Sequence, residues 1–249
     1  MKAGCVAAPR VGCAGWSLTR DLASAFAGPG THLQRYATRL NCAEINSSFY
    51  RPHRYQTYVR WAESVAEDFR FSVKVPKLIS HVQGLKDCEA VFDEFLAQAG
   101  GLGDRLGCLL VQLPPKLVYD EVVVGAFLSM LRQRYAGDVV VEPRHGSWAA
   151  ADWLLQEHRV ARAAVDPSRF AGDSAPAGWA GVRYWRLHGA PRIYRDAYAP
   201  EQLQTLAGHL QAGVEAEVRT WCIFDNTASG AALGNALTLN ACIEPQAQV

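Results

Sequence analysis

The sequence predicts a single α/β domain folded as a closed (β/α)8 barrel, also called a TIM barrel. Short β-rich runs alternate along the chain with longer stretches of helical periodicity. Eight such runs occur in 249 residues, which is the usual size of this barrel. No linker or compositional break divides the chain, so we expect one domain over residues 1–249 with its core at about 11–243.

Eight segments have the length and the β-forming composition of strands. In chain order they are residues 11–17, 42–49, 69–76, 106–114, 138–144, 161–166, 182–189 and 218–226. Seven segments have helical periodicity: residues 33–40, 57–66, 88–99, 121–135, 149–158, 200–213 and 230–241. The stretch PSRFAGDSAPAGWAG, between the sixth and seventh strands, is rich in Gly, Ala and Pro and is predicted to be an irregular loop.

An open, doubly wound sheet is the main alternative fold. Such a sheet normally has a glycine-rich phosphate-binding turn after its first strand. Here that turn reads AGWSLTRD, which lacks the glycine pattern. The glycine-rich segment GGLGDRLG, residues 100–107, follows a helix and precedes a strand, so it lies at the wrong end of the sheet to bind phosphate. The barrel is therefore the favoured fold.

Composition argues against several classes of protein. The 25 basic and 24 acidic side chains give a formal net charge of +1, so no global field directs the chain to nucleic acid or to an acidic membrane. The seven cysteines are scattered and contain no C-x-x-C motif, which disfavours a disulfide framework or a zinc ribbon. We find no secretory signal, and the longest uncharged stretch, residues 226–243, is too polar to span a membrane. We expect a cytoplasmic protein without a membrane partner.

Polar side chains recur where the predicted strands end. Strand side chains alternate in direction, so in DVVVEPR the residues Val139 and Val141 should face the helices. Val140, Glu142 and Arg144 should then face the lumen. Barrels of this class build active sites at the carboxyl ends of their strands. The same alternation places these residues at the other strand ends: Glu44, Asn46, Ser48, Ser72, Lys74, Gln112, Asp166, Arg186, His188 and Asp225.

The chemistry of these side chains suggests their roles. A charge cluster that satisfies only itself is the structural alternative, but it costs several kcal/mol of desolvation per buried ion. Carboxylates can act as general bases, imidazole moves protons near neutral pH, and Arg and Lys can fix an anion. We predict that the catalytic residues are Glu44, Glu142, His188 and Asp225. We predict that the substrate-binding residues are Trp16, Asn46, Lys74, Lys77, His81, Gln112, Arg144, Trp148, Arg186 and Asn226.

The sequence leaves the cofactor unknown, with a divalent metal as one hypothesis. No H-x-H or H-E-x-x-H spacing is present. If a metal is bound, the expected ligands are Glu142, His188 and Asp225, with Glu44 nearby.

An ordered set of motifs resembles the YecE-like family, known as domain of unknown function 72. The motifs are GWS (15–17), EINSSFY (44–50), FRFSVKVPKLISH (69–81), LLVQLPPKL (109–117), VVVEPRHGSW (139–148), YWRLHG (184–189), and FDN (224–226) followed by NALTL (235–239). The resemblance implies a TIM barrel of unassigned activity, similar in shape to sugar-isomerase and endonuclease-IV barrels. Two positions depart from the family pattern: Leu18 replaces a common tyrosine, and Asp225 replaces a common asparagine.

The favoured function is that of a hydrolase-like enzyme acting on an anionic, phosphate-bearing small molecule or nucleotide at the mouth of the barrel. One alternative is a nucleic-acid processing or binding protein, and another is a sugar hydrolase or isomerase that uses a carboxylate pair. A ligand sensor without turnover is the remaining hypothesis. The expected partner is a small anionic substrate, with nucleic acid as the alternative, and the sequence leaves the oligomeric state open.

Overall fold

The computed structural model describes residues 8–243, which form ten strands and seven α-helices. The strands are β1 (Arg10–Ala14), β2 (Cys42–Ile45), β3 (Arg70–Lys74), β4 (Leu106–Gln112), β5 (Asp138–Glu142), β6 (Ala161–Arg162), β7 (Ala164–Asp166), β8 (Ala177–Gly178), β9 (Val182–Leu187) and β10 (Arg219–Phe224). The helices are α1 (His32–Tyr36), α2 (Tyr55–Glu63), α3 (Glu89–Ala99), α4 (Glu121–Arg134), α5 (Asp152–Glu157), α6 (Pro200–Glu215) and α7 (Ala231–Ile243). None of the helices within these residues is long and apolar enough to cross a lipid bilayer.

One sheet contains all ten strands, in the order β7-β9-β10-β1-β2-β3-β4-β5-β6-β8. Every neighbouring pair is parallel except β6 and β8, which are antiparallel. β6 pairs with β5, β7 pairs with β9, and only Ala163 separates β6 from β7 along the chain. The backbone at Ala163 therefore joins the part of the sheet that contains β5 to the part that contains β9. The result is a mixed α/β fold around a nearly closed, barrel-shaped sheet.

The structure contains all the predicted strands and helices, and most are shorter than predicted. Three predictions need correction. The sixth predicted strand, residues 161–166, is interrupted at Ala163, because the chain leaves its pairing with β5 there and turns to pair with β9. The segment predicted to be only an irregular loop contributes β8, which pairs with β6. The predicted helix 149–158 begins as the 3₁₀ turn Gly146–Ala150, before α5.

Two separate hydrophobic cores confirm the alternation predicted for β5. Val139 and Val141 belong to the large core between the sheet and the helices. Val140 belongs to a smaller core enclosed by the sheet. Bulky side chains such as Tyr184 and Trp221 fill this inner core. Because apolar groups occupy the interior, the charged side chains that face inward lie at the two ends of the strands: Asp138 and Arg219 pair at the amino ends, and the larger polar cluster lies at the carboxyl ends.

Candidate active site at the carboxyl ends of the strands

The fully buried guanidinium of Arg186, on β9, is the centre of the polar cluster. It forms a bidentate pair with Glu44 of β2, with Nη2 2.7 Å from Oε1 and Nε 2.9 Å from Oε2. Its Nη1 lies 3.1 Å from Oε2 of Glu142 and 3.0 Å from Oδ2 of Asp225. Burial alone would lower the pKa of Arg186, but the three carboxylates raise this pKa well above its usual value. One cation is thus shared by carboxylates from three other parts of the sheet.

Glu142 ends β5 and contacts a second cation as well as Arg186. Arg144 donates to Oε1 of Glu142 from Nη2 at 2.6 Å and from Nε at 2.8 Å. Burial alone would raise the pKa of Glu142, but the charges of Arg186 and Arg144 hold this pKa well below its usual value. The pKa of Asp225 is also lowered: burial opposes the shift, and Arg186 and His188 produce it. Both carboxyl groups are therefore ionised at neutral pH.

The buried ring of His188, which follows β9, lies between two carboxylates. Its Nδ1 is 3.0 Å from Oδ2 of Asp225, and its Nε2 is 3.2 Å from Oε1 of Glu142. The same Nε2 is 3.1 Å from Nη2 of Arg144. A guanidinium only donates, so Nε2 must be unprotonated to accept from Arg144 and protonated to donate to Glu142. The contact with Arg144 therefore fits the neutral ring, and the contact with Glu142 fits the imidazolium. In both forms Nδ1–H donates to Asp225.

Lys74 ends β3 and supplies a third cation, whose side chain is almost completely buried. Its Nζ donates to Oδ1 of Asn46 at 3.0 Å and lies 4.1 Å from the centroid of the Phe49 ring. Within residues 8–243 the ammonium forms no ion pair with a carboxylate. Burial, reinforced by the charge of Arg186, lowers the pKa of Lys74 to about 8. When protonated, Lys74 therefore carries a positive charge that is not in contact with a carboxylate of the described residues.

Tyr194, in the loop after β9, covers this cluster, and sequence reasoning missed it. Its ring packs edge-on against His188, with centroids 5.5 Å apart. Nη1 of Arg144 donates to its hydroxyl at 3.4 Å, and its backbone N–H donates to the carbonyl of His188. The surrounding sequence, PRIYRD, has no strand or helix periodicity that would have signalled the position.

Tyr184 is a second residue that sequence reasoning missed. Its hydroxyl donates to Oγ of Ser72 at 3.0 Å and lies 3.3 Å from Oε2 of Glu44. Here a signal was available, because Tyr184 precedes Arg186 by two residues on one strand and so shares its inward face.

Some residues that we predicted to bind substrate have other contacts. Arg186 is the internal counter-ion of the cluster, because its guanidinium is buried against three carboxylates. Lys77 is exposed. His81 is partly buried, with Nδ1 2.9 Å from Oγ of Ser80 and its ring against Phe49. The half-buried side chain of Gln112 forms no hydrogen bond with the part of the chain that the structure describes.

Neither tryptophan predicted to bind substrate contributes to the cluster. Trp16 packs against Trp61, with ring centroids 5.2 Å apart, and against Phe71 of the outer core. Trp148 is only 1% exposed, and its indole Nε1 donates to the carbonyl of Leu117 at 2.9 Å. Trp148 is therefore enclosed by its neighbours, and the partly buried Trp16 packs against aromatic rings of the outer core.

Asn226 and Asp166 also lie outside the cluster. The amide Nδ2 of Asn226 donates to Oδ1 of Asn235 at 2.9 Å and to the carbonyl of Asp196, which ties β10 to α7 and to the loop after β9. Asp166 accepts a 2.9 Å hydrogen bond from the hydroxyl of Tyr198. Asp166 ends β7 with its carboxylate toward the helices: Ala163 belongs to the inner core and Ala164 to the outer core, so alternation places Asp166 on the outer face.

The residues expected to bind a metal are close together, but they do not form a metal centre. Within the described residues, no group of three or more His, Cys, Asp or Glu side chains is placed to hold an ion. Glu44, Glu142 and Asp225 direct their oxygens at the guanidinium of Arg186. A permanent cation at that position would repel a divalent ion. The donor set therefore does not fit a metal in this arrangement.

The fold and the site define a barrel-shaped α/β protein whose ionisable side chains converge at the carboxyl ends of parallel strands. The family described as protein of unknown function DUF72 matches residues 10–249. The chain therefore belongs to the DUF72 family, as the resemblance to YecE-like proteins predicted.

Relatives and solved structures agree with this assignment. The UPF0759 protein YecE of Escherichia coli K12 is 38% identical over 121 residues, which cover 48% of this chain and 44% of YecE. The match thus spans less than half of that relative. A DUF72 family protein from Thermotoga maritima superposes with a TM-score of 0.79 and 24% identity over 96% of this chain and all of that one. A DUF72 family protein from Enterococcus faecalis also superposes with a TM-score of 0.79, at 20% identity over 96% of both chains. At these identities the two structures establish similarity of fold.

Proposed function

We propose that this protein is a hydrolase-like enzyme that acts on a small anionic substrate bearing a phosphate group, such as a phosphoester or a nucleotide. One observation carries the proposal: the ring of His188 lies between Asp225 and Glu142, beside cations that can bind an anion. We also propose that residues 161–166 act as a single strand of a closed (β/α)8 barrel, whose mouth is the reaction site.

Lys74 and Arg144 are the groups proposed to bind the phosphate. The Lys74 ammonium has three N–H donors and uses one of them on Asn46. Arg144 is held at Glu142 through Nε and Nη2, and its Nη1 makes only a long contact with Tyr194. The compact ammonium of Lys74 and the planar guanidinium of Arg144 together suit a tetrahedral oxyanion.

His188 is the proposed general base. When a phosphate draws Arg144 toward itself, Nε2 loses its donor and is free to accept a proton from water. The water oxygen then bonds to phosphorus as the ester P–O bond breaks; the leaving oxygen takes a proton from solvent, and the imidazolium later returns to solvent the proton that it accepted. Asp225 keeps Nδ1 protonated and stabilises the imidazolium that forms. Glu142 is placed to accept a hydrogen bond from the Nε2–H of that imidazolium.

A panel of phosphoesters, including p-nitrophenyl phosphate and nucleoside monophosphates, tests the activity. Each is assayed with the wild-type protein, Glu142→Gln and Arg144→Ala. We expect at least one ester to be hydrolysed by the wild type about 10²-fold faster than by Glu142→Gln, the usual minimum for losing a group that assists proton transfer. Arg144→Ala should also be slower than the wild type, because it lacks a donor to the phosphate. Circular dichroism verifies that the variants are folded. Equal background rates in all three proteins contradict the proposal.

Phosphate affinity should depend on the ionisation of Lys74. Because the pKa of Lys74 is about 8, its ammonium is charged below that pH and neutral above it. We expect binding of inorganic phosphate, measured by calorimetry, to weaken about tenfold between pH 7 and pH 9. Lys74→Met should bind phosphate weakly at both values, and the exposed Lys86→Met should behave as the wild type. The same pH dependence in Lys74→Met would show that another group is responsible.

A further inference from the structure

A cleft of about 300 Å³ opens at the same end of the barrel as the polar cluster. It lies between the loop after β2, the loop after β3 and helix α3. Its volume is in the range of sites for small molecules. The lining is mostly apolar and includes Phe49, Pro52, Leu78, Val82, Val91 and Phe95.

Several side chains of this cleft expose large apolar surfaces to water. Tyr50 is 73% exposed, Val82 is 66% exposed and Leu78 is 43% exposed. Exposed apolar groups gathered at one place commonly mark a site of contact with a ligand or partner. Leu78 and Val82 are the ends of a single π-helical turn, a rare conformation that occurs frequently at functional sites.

Phe49 connects the cleft with the polar cluster. Its side chain lines the cleft, and its ring centroid lies 4.1 Å from Nζ of Lys74. The adjacent Ser48 also lines the cleft, and its hydroxyl donates to the carbonyl of Lys74 at 2.6 Å. An anion at Lys74 and a group in the cleft would therefore be separated by little more than one aromatic ring.

Charge at the cleft also favours an anionic ligand. Arg51 and Lys77 line it, and Glu94 is the one acid among the lining residues. No ion pair joins Glu94 to either cation within residues 8–243; its carboxylate instead accepts from the amide of Gln98 at 3.0 Å. Two cations against one acid give this side of the mouth an excess of positive charge.

We propose that the cleft is the subsite for an aromatic group of one or two rings, carried by the same molecule as the anion that Lys74 binds. This rests on the proposed function and narrows its substrate class to aromatic phosphates. Phe49 and Tyr50 supply rings for edge-to-face or offset contacts, which favour an aromatic group over an alkyl chain. Nζ of Lys74 lies 4.1 Å from the centre of a ring that lines the cleft, so one small ligand can reach both places.

Calorimetric titrations with four non-hydrolysable probes test the subsite: methylphosphonate, 2-naphthylphosphonate, octylphosphonate and uncharged 2-naphthol. We expect 2-naphthylphosphonate to bind about tenfold more tightly than methylphosphonate, and more tightly than octylphosphonate. Val82→Glu places a charge in the cleft at an exposed position and should remove this gain while leaving methylphosphonate affinity within about twofold. Val122→Glu, at an exposed valine of α4 outside the cleft, should behave as the wild type.

The probes separate the failure of this proposal from the failure of the proposed function. Wild-type binding of methylphosphonate with no added affinity for the naphthyl compound would overturn the aromatic subsite and leave the proposed function standing. Binding of 2-naphthol that Val82→Glu abolishes, without any methylphosphonate binding, would support the aromatic cleft and count against the anion site. Tighter binding of octylphosphonate than of 2-naphthylphosphonate would overturn the aromatic assignment.

Discussion

Arg186→Met should lower the free energy of unfolding by about 3–5 kcal/mol at pH 7, the usual cost of breaking a buried ion pair by removing one partner. In the wild type the Arg186 guanidinium contacts the carboxylates of Glu44, Glu142 and Asp225. Methionine has a similar length and no charge, so the packing volume is largely kept while the acids lose their shared cation. Urea denaturation of both proteins measures the difference.

The loss of unfolding free energy caused by Arg186→Met should be smaller in acid. In the folded wild type the pKa values of Glu142 and Asp225 are below normal, so their stabilising contribution is present above the pKa of the unfolded chain and is lost as pH falls. Without Arg186 these groups can become neutral by protonation, which relieves their repulsion at low pH. We expect the two proteins to be closer in stability at pH 4.5 than at pH 7. Equal differences at both pH values would refute this electrostatic account.

The surface pair Arg134–Asp93 provides a matched control for Arg186→Met. Arg134 Nε lies 2.8 Å from Oδ1 of Asp93, and both side chains are partly exposed. Water screens such a pair, and its contribution is usually about 0–1 kcal/mol. Arg134→Met should therefore change stability much less than Arg186→Met, although both substitutions remove one guanidinium.

His188→Gln should reduce the hydrolysis rate by about 10²–10⁴-fold, the usual contribution of general acid–base catalysis. Glutamine can hydrogen-bond to Asp225 or Glu142, but it cannot accept and release a proton near neutral pH. Lys74 and Arg144 remain in place, so phosphate affinity should change by less than about tenfold. Steady-state kinetics on the best ester of the panel, together with calorimetry, separate the two effects.

The exposed His209 of α6 is the control for His188. It stacks on Trp185 on the outside of the sheet, with ring centroids 6.4 Å apart. His209→Gln should keep the wild-type rate. A His188→Gln protein that is folded and hydrolyses esters as fast as the wild type would exclude this imidazole as the base.

Much of the fold could be predicted because the local patterns agreed with one another. Strand alternation placed Val139 and Val141 toward the helices and Val140 inside, and the two cores have this arrangement. The interruption at Ala163 could not be predicted in this way, because pairing partners are set by the geometry of the whole sheet. Asp166 was misplaced because the sequence of this short, alanine-rich strand does not show which face is turned inward, and Ala161 and Ala163 take the inner face.

The polar cluster was predictable only in part. Alternation placed Glu44, Glu142 and Arg186 on one inward face, and the structure brings them into contact. Alternation could not show that Arg186 forms ion pairs with three carboxylates, because these pairs depend on distances across the lumen. Trp148 was misassigned because a tryptophan near a strand end has the same sequence signal whether it packs or binds. Tyr194 was missed because its loop has no periodicity from which a position can be calculated.

The two strands at the ends of the sheet are short, with three residues in β7 and two in β8. A long unpaired strand edge can template hydrogen bonding with another molecule, which leads to aggregation or domain swapping. Here the backbone at Ala163 joins β6 to β7, and β8 pairs with the outer edge of β6. Self-association through edge-to-edge strand addition is therefore disfavoured by the topology itself.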